Sequence, residues 1–313
     1  MTGGPGATKP VAEHLEPISV LARVREHSHG QSGKWFGISG AVREALWRGR
    51  HEVLHRLAAA RSADVRAIGL AGLLRAGLAD QAPGHLADPS PMVRATARFA
   101  ARRAGIDVLD HYHRLARVEP VQPGALLGLA EATVNTNTGS AEARELIEPR
   151  LADGAPVVRA AAVTALRILG AADPDALGSL LADPAPVVVR AAAASVESAG
   201  VALDTSRLLA LLADPARAAG ARRALYRMCR RRQAAVWLAA GLVAAAAGDQ
   251  KLAAWATRDL RAMALPTGRP VRAKRSRLDL AGQQVVPDLP ARVREAQALL
   301  APDLYDALAA AVA

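Results

Sequence analysis

Four stretches of the chain repeat one phrase. LADPSPMVRATARFAARRAG begins at Leu86, LADGAPVVRAAAVTALRILG at Leu151, LADPAPVVVRAAAASVESAG at Leu181 and LADPARAAGARRALYRM at Leu212. Their aspartates stand at Asp88, Asp153, Asp183 and Asp214, so the spacings are 65, 30 and 31 residues. The longer gap leaves room for one degenerate copy. An earlier copy, AAARSADVRAIGLAGLLRAG, carries the same Val-Arg pair at Val65 and Arg66. A period near 30 restricts the chain to stacked supersecondary units that bury their apolar faces on one another.

The units read as helical hairpins. The chain is 51% hydrophobic but only 3% aromatic, and alanine and leucine favour helices that approach closely. In each phrase Leu-Ala ends one helix, and Asp with Pro makes the turn, with Asp expected to cap the next helix. In the copy at Ala155, the residues Val158, Ala161, Ala162, Ala165, Leu166 and Leu169 fall on one helical stripe. The arginine after valine (Arg66, Arg94, Arg159, Arg190) lies in the first turn of the second helix, where a cation opposes the helix dipole. The turn residues Asp88, Asp153 and Asp183 are its expected partners, as a ladder between repeats. GLADQAPGHLAD, interrupted by Pro83, leaves little room for a first helix in the second repeat.

This pattern resembles the HEAT repeat family, including the HEAT-like repeats first named from phycobilisome lyases, over roughly residues 41 to 265. The resemblance implies an all-α fold: a right-handed α-solenoid of about seven hairpins. It also implies a scaffold that binds other macromolecules along a curved face. The expected organisation is a disordered tail at 1–13, the repeat array at 14–265, a basic linker at 266–287 and C-terminal capping helices at 288–313. EHSHGQSGKWFGISG, residues 26 to 40, reads as a Gly/Ser-rich loop before the first hairpin, with Trp35 and Phe36 as a hydrophobic plug on it.

Charge is unevenly placed. Of a net +11, residues 1–220 hold 24 Lys/Arg against 22 Asp/Glu, and residues 221–313 hold 16 against 7. Two clusters stand out as binding candidates. One is Arg269, Arg272, Lys274, Arg275 and Arg277. The other is Arg222, Arg223, Arg227, Arg230, Arg231 and Arg232. Arginine-rich segments attract phosphates by counterion release and also suit acidic protein surfaces. An acidic protein partner is the first expectation and nucleic acid the alternative. Within that alternative stands a resemblance to DNA glycosylases for alkylated bases built on HEAT-like repeats. Its tryptophan and aspartate would correspond to Trp255 and Asp259, four apart on one helix, with Trp237 as a second tryptophan.

Other chemistry finds little footing. HEVLH, residues 51 to 55, has the spacing of a zinc-peptidase helix. However, aligning Arg66 with Arg190 sets His51 opposite Asp175, an ordinary repeat position. Ala58 and Arg61 occupy the places where a metzincin needs Gly and His, and Arg48, Arg50 and Arg56 repel a cation. The eight histidines all lie at or before His113, without a cysteine or carboxylate set to complete a metal site. GQSGKWFG has Ser28 and Trp35 where a phosphate loop needs Gly and Ser/Thr. Cys229 has neighbouring arginines that favour a thiolate, though helix burial is the expected fate. No cofactor or metal is expected, and the chain reads as non-catalytic. The N-terminus holds no apolar core like that of a signal peptide, and the apolar run Ala234–Gly248 is too short to span a bilayer. A cytoplasmic location without membrane contact is therefore expected.

Overall fold

A computed structural model describes residues 32–201, 203–264, 286 and 288–312, with side chains from residue 39 onward. Every regular element among them is helical. The chain divides into two compact units, one ending at Arg150 and the other beginning at Leu151.

The first unit contains α1 (Ser32–Trp47), α2 (His51–Ala58), α3 (Ala63–Arg75), a 3-10 helix (Ala79–His85), α4 (Pro91–Arg103), α5 (Val108–Arg117), α6 (Pro123–Thr136) and α7 (Ser140–Ile147). Its hairpins are α2 with α3, the 3-10 helix with α4, and α5 with α6. The crowded stretch around Pro83 thus forms a 3-10 helix in place of a full first helix, because a ring lacking N–H cannot extend an α-helical ladder. The loop expected at 26–40 is corrected: Ser32 already begins α1. Interior glycine costs a helix about 1 kcal/mol each. Here that cost is offset by Val42 and Ala45, which are buried with Leu54, Ala58, Ile68 and Leu73. Side chains of Trp35 and Phe36 lie outside the described residues.

The second unit contains α8 (Pro156–Ile168), α9 (Pro174–Leu180), α10 (Pro186–Ala199), α11 (Thr205–Ala213), α12 (Ala219–Cys229), α13 (Ala234–Ala246), α14 (Gln250–Ala264), α15 (Leu289–Glu295) and α16 (Pro302–Val312). Hairpins form from α9 with α10, α11 with α12, and α13 with α14. The second helices α8, α10 and α12 pack side by side, and α14 follows against α12. On the other side, α15 rests on α13 and α16 on α14. One core runs through this unit from Val163 to Leu308. The stripe predicted for α8 is buried at Val158, Ala161, Ala162, Ala165 and Leu166, while Leu169 is half-exposed. Ala160 and Val163 are buried as well, so the buried face of α8 is broader than the predicted stripe.

The repeat phrase works through three local devices. First, the turn aspartate is not the helix cap expected of it. Asp88, Asp153, Asp183 and Asp214 each accept the backbone N–H two residues on, at 2.8 to 2.9 Å, which makes an Asx turn. The helix then opens on proline (Pro91, Pro156, Pro186), whose missing N–H is no loss there. Side-chain caps are found on the first helices α5, α9 and α11, where Asp107, Asp173 and Asp204 accept N–H groups, and on the second helix α14, whose Lys251 and Leu252 N–H groups donate to Asp249.

Second, the phrase ends in glycine. Gly77, Gly105, Gly170 and Gly200 all have positive φ, and the following residue donates to the carbonyl five positions earlier. That is a Schellman closure, which needs a residue without Cβ strain in the left-handed region.

Third, the arginine staples one turn to the next. Arg159 Nη1 donates to the carbonyls of Asp153 and Gly154 in its own turn, at 2.8 and 3.2 Å. Its Nε and Nη2 reach both oxygens of Asp183, at 2.9 and 3.0 Å. Arg66 repeats the arrangement with Ala60, Arg61 and Asp88. Arg223 continues it toward Asp249 at 3.1 Å.

The ladder has two departures. Arg94 bonds its own turn but pairs with Glu131 at 3.1 Å in place of an aspartate. The next repeat has Pro120 where the turn aspartate would stand, so a mid-helix carboxylate substitutes. Arg190 is exposed. Its copy holds one extra valine, which puts Val189 at the staple position and turns Arg190 by a further residue toward solvent. One residue is about 100° of helix.

Candidate functional site

The densest constellation of charged and aromatic side chains outside the staples lies on α12, α13 and α14. Helix α12 is YRMCRRR-rich at its end, so its polar face carries Arg223, Arg227 and Arg230 while Tyr226 and Cys229 turn inward. Asp259 of α14 is 5% exposed. Its carboxylate accepts the Tyr226 hydroxyl at 2.9 Å and faces Arg230 Nε at 2.9 Å, with Arg258 at 3.6 Å. Burial together with the adjacent Asp259 charge drives the Tyr226 pKa well above its ordinary value. The hydroxyl therefore stays a donor. Arg230 also lies 5.8 Å from the Trp237 ring.

Trp255 sits one turn before Asp259 and is half-buried. The Arg227 guanidinium lies 4.8 Å from its ring centre and the Lys251 ammonium 5.8 Å. Both distances fit cation–π attraction, which holds the two cations over the ring. The aspartate and tryptophan thus share an edge of α14, as their spacing of four demands, but they look in different directions: Asp259 into the packing, Trp255 toward Arg227 and Lys251.

Most arginines of the second basic cluster have partners inside the chain. Arg222 is buried and donates to Ala247 O at 2.6 Å. Arg223 is spent on Asp249, Arg230 on Asp259 and Arg231 on Glu197. Arg232 donates to Val201 O at 3.3 Å. The cluster Arg269, Arg272, Lys274, Arg275 and Arg277 lies outside the described residues. The cations turned outward on this face are Arg227, Lys251 and Arg258. Lys251 escaped the sequence reading because it stands alone in an alanine-rich stretch. Its spacing of four from Trp255 was the available signal.

The remaining candidates resolve simply. His51 is half-exposed and His55 exposed on the short α2. Among the described residues no group of three or more His, Cys, Asp or Glu could hold a metal ion. His113 is buried and lies 3.9 Å from Glu142. Cys229 is fully buried, and desolvation pushes its thiol up to about 11 despite the nearby Arg232. The helix burial expected from the sequence therefore outweighs the thiolate-favouring pull of its arginine neighbours. Among the described residues no helix is long and apolar enough to cross a membrane.

A model for the HEAT repeat associated with sister chromatid cohesion matches residues 83–97 and 144–166. No curated protein and no solved structure matches the chain significantly. Both matched segments run through a turn aspartate and its staple arginine, Asp88 with Arg94 and Asp153 with Arg159. Helical hairpins, a recurring Asp-to-Arg turn and this match together support a HEAT-repeat protein.

Proposed function

We propose that the chain is a non-catalytic HEAT-repeat scaffold, a solenoid of about seven hairpins that binds another macromolecule through the concave helix face of repeats four to seven and the basic segment at 269–277. The partner is a protein with acidic surface, met in the cytoplasm. The observation that carries this reading is the row of second helices α8, α10, α12 and α14. They expose Arg190, Arg227, Lys251 and Arg258 to solvent. Binding by surface complementarity requires only that such a face be rigid, and the Arg–Asp staples supply that rigidity.

Within the nucleic-acid alternative, the base-excision enzyme with Trp255 and Asp259 as its working pair is disfavoured by the commitment of Asp259 to Tyr226 and Arg230. A carboxylate so held is a packing group.

Fluorescence anisotropy of labelled duplex and single-stranded DNA, from low to physiological salt, tests the choice. The scaffold reading expects weak, sequence-independent binding that vanishes at physiological salt. It also expects no base release by either the unmodified chain or Asp259→Asn. Tight binding that survives the salt and collapses when Arg269, Arg272, Lys274, Arg275 and Arg277 are all changed to serine would transfer the conclusion to nucleic acid.

A further inference from the structure

Resting on the scaffold reading, we propose that the outward face of α12 and α14 is the docking site for an acidic polypeptide segment. Arg227, Lys251 and Arg258 grip its carboxylates, and Trp255 provides the apolar footing between them. Three features of the face support this occupant.

The first is charge that is free to be used. Arg223, Arg230 and Arg231 are neutralised by Asp249, Asp259 and Glu197, whereas Arg227 and Lys251 meet only the Trp255 ring among the described residues. The Arg258 side chain is 66% exposed, with one long contact to Asp259. Arg227 and Lys251 are therefore uncompensated among the described residues, and Arg258 shares a carboxylate already held by Tyr226 and Arg230.

The second is orientation. A guanidinium stacked at 4.8 Å on an indole has already lost much of its rotamer freedom, so less entropy remains to be lost on binding. Its edge stays available for the two-pronged hydrogen bonds that a carboxylate accepts.

The third feature separates a polypeptide from nucleic acid. Proteins that hold a duplex through its backbone neutralise about 6–10 phosphates, and internal carboxylates have removed half of this face's arginines from that role. A short acidic segment with an apolar residue between its carboxylates needs only a few fixed cations flanking an aromatic surface. That is the arrangement of Arg227, Trp255, Lys251 and Arg258.

The test uses the full chain and two fluorescein-labelled probes of equal charge at physiological salt: a peptide in which glutamate alternates with leucine, and an oligothymidylate. The peptide is expected to bind the more tightly. Its affinity is expected to fall by about tenfold or more in the variant R227S/K251S/R258S with circular dichroism unchanged. Arg227→Lys, which keeps the charge and loses the fork, is expected to fall between the two. Tighter binding of the oligothymidylate overturns the proposal, as does a peptide affinity untouched by the triple variant. If the peptide responds only to serine substitution at 269–277, this face is wrong while the scaffold reading stands. If neither probe binds, the proposed face falls, and the reading of the chain as a scaffold rests on its own DNA assay.

Discussion

Arg159 and Asp183, 24 residues apart, meet through two parallel hydrogen bonds of 2.9 and 3.0 Å, while the same guanidinium closes the turn that precedes it. One side chain thus sets both the shape of its own turn and the position of the next. Removing it leaves two turn carbonyls and a nearly buried carboxylate without their donor. Arg159→Ala is expected to cost about 2 kcal/mol, as is Asp183→Ala. Urea unfolding of both singles and the double variant should show a double change clearly smaller than the sum of the singles. Additive losses would mean that the pair does not couple the turns.

Acid should loosen these staples in a defined direction. Burial resists ionisation of Asp88 and Asp183. The hydrogen bonds from Arg66 and Arg159 and from the Ser90 and Ala185 N–H groups outweigh it, so both carboxyls titrate below their ordinary value. A pKa lowered by folding stabilises fully above the unfolded value of about 3.9. The benefit is lost as pH falls through the folded value. Denaturation midpoints should therefore hold near neutral pH and drop below about pH 4. The Asp183→Asn variant should show a shallower acid slope, and an equal slope would remove Asp183 from the account.

Gly124 offers a test of packing against propensity. At this position in α6, alanine would favour the helix by about 1 kcal/mol. Its Cβ would stand 2.0 Å from the Ala87 carbonyl oxygen, a backbone atom with no room to yield. Overpacking of this kind costs about 1–3 kcal/mol or more, so the clash wins. Gly124→Ala should lower the melting temperature, and a rise would show that α6 can withdraw from the Ala87 turn.

Cys229 should behave as a buried thiol. With its pKa pushed up to about 11 and no exposed surface, thiolate is scarce at neutral pH. Reaction with an aromatic disulfide reagent should be slow in the folded chain and fast in denaturant, with a rate that follows unfolding. Fast labelling under native conditions would contradict the packing of α12.

The repeat phrase by itself determined the helical hairpins, the turn at each Asp-Pro and the demand for a carboxylate near each staple arginine. These depend on backbone preferences and on groups a few residues apart. Arg190 was expected to staple like the others, and the one inserted valine that turns it to solvent was the signal passed over. Only the tertiary structure decided which carboxylate answers Arg94, because Glu131 lies 37 residues away on another helix. It also decided that Asp259 points into Tyr226 and Arg230 while Trp255 turns to Arg227. Helical spacing fixes a shared edge, but the neighbours packed on each side choose where a side chain goes. Likewise, arginines that look alike along the chain differ by whether a carboxylate from the next repeat reaches them. That depends on the packing of whole helices, and it separates the cations that hold the fold from those left to bind.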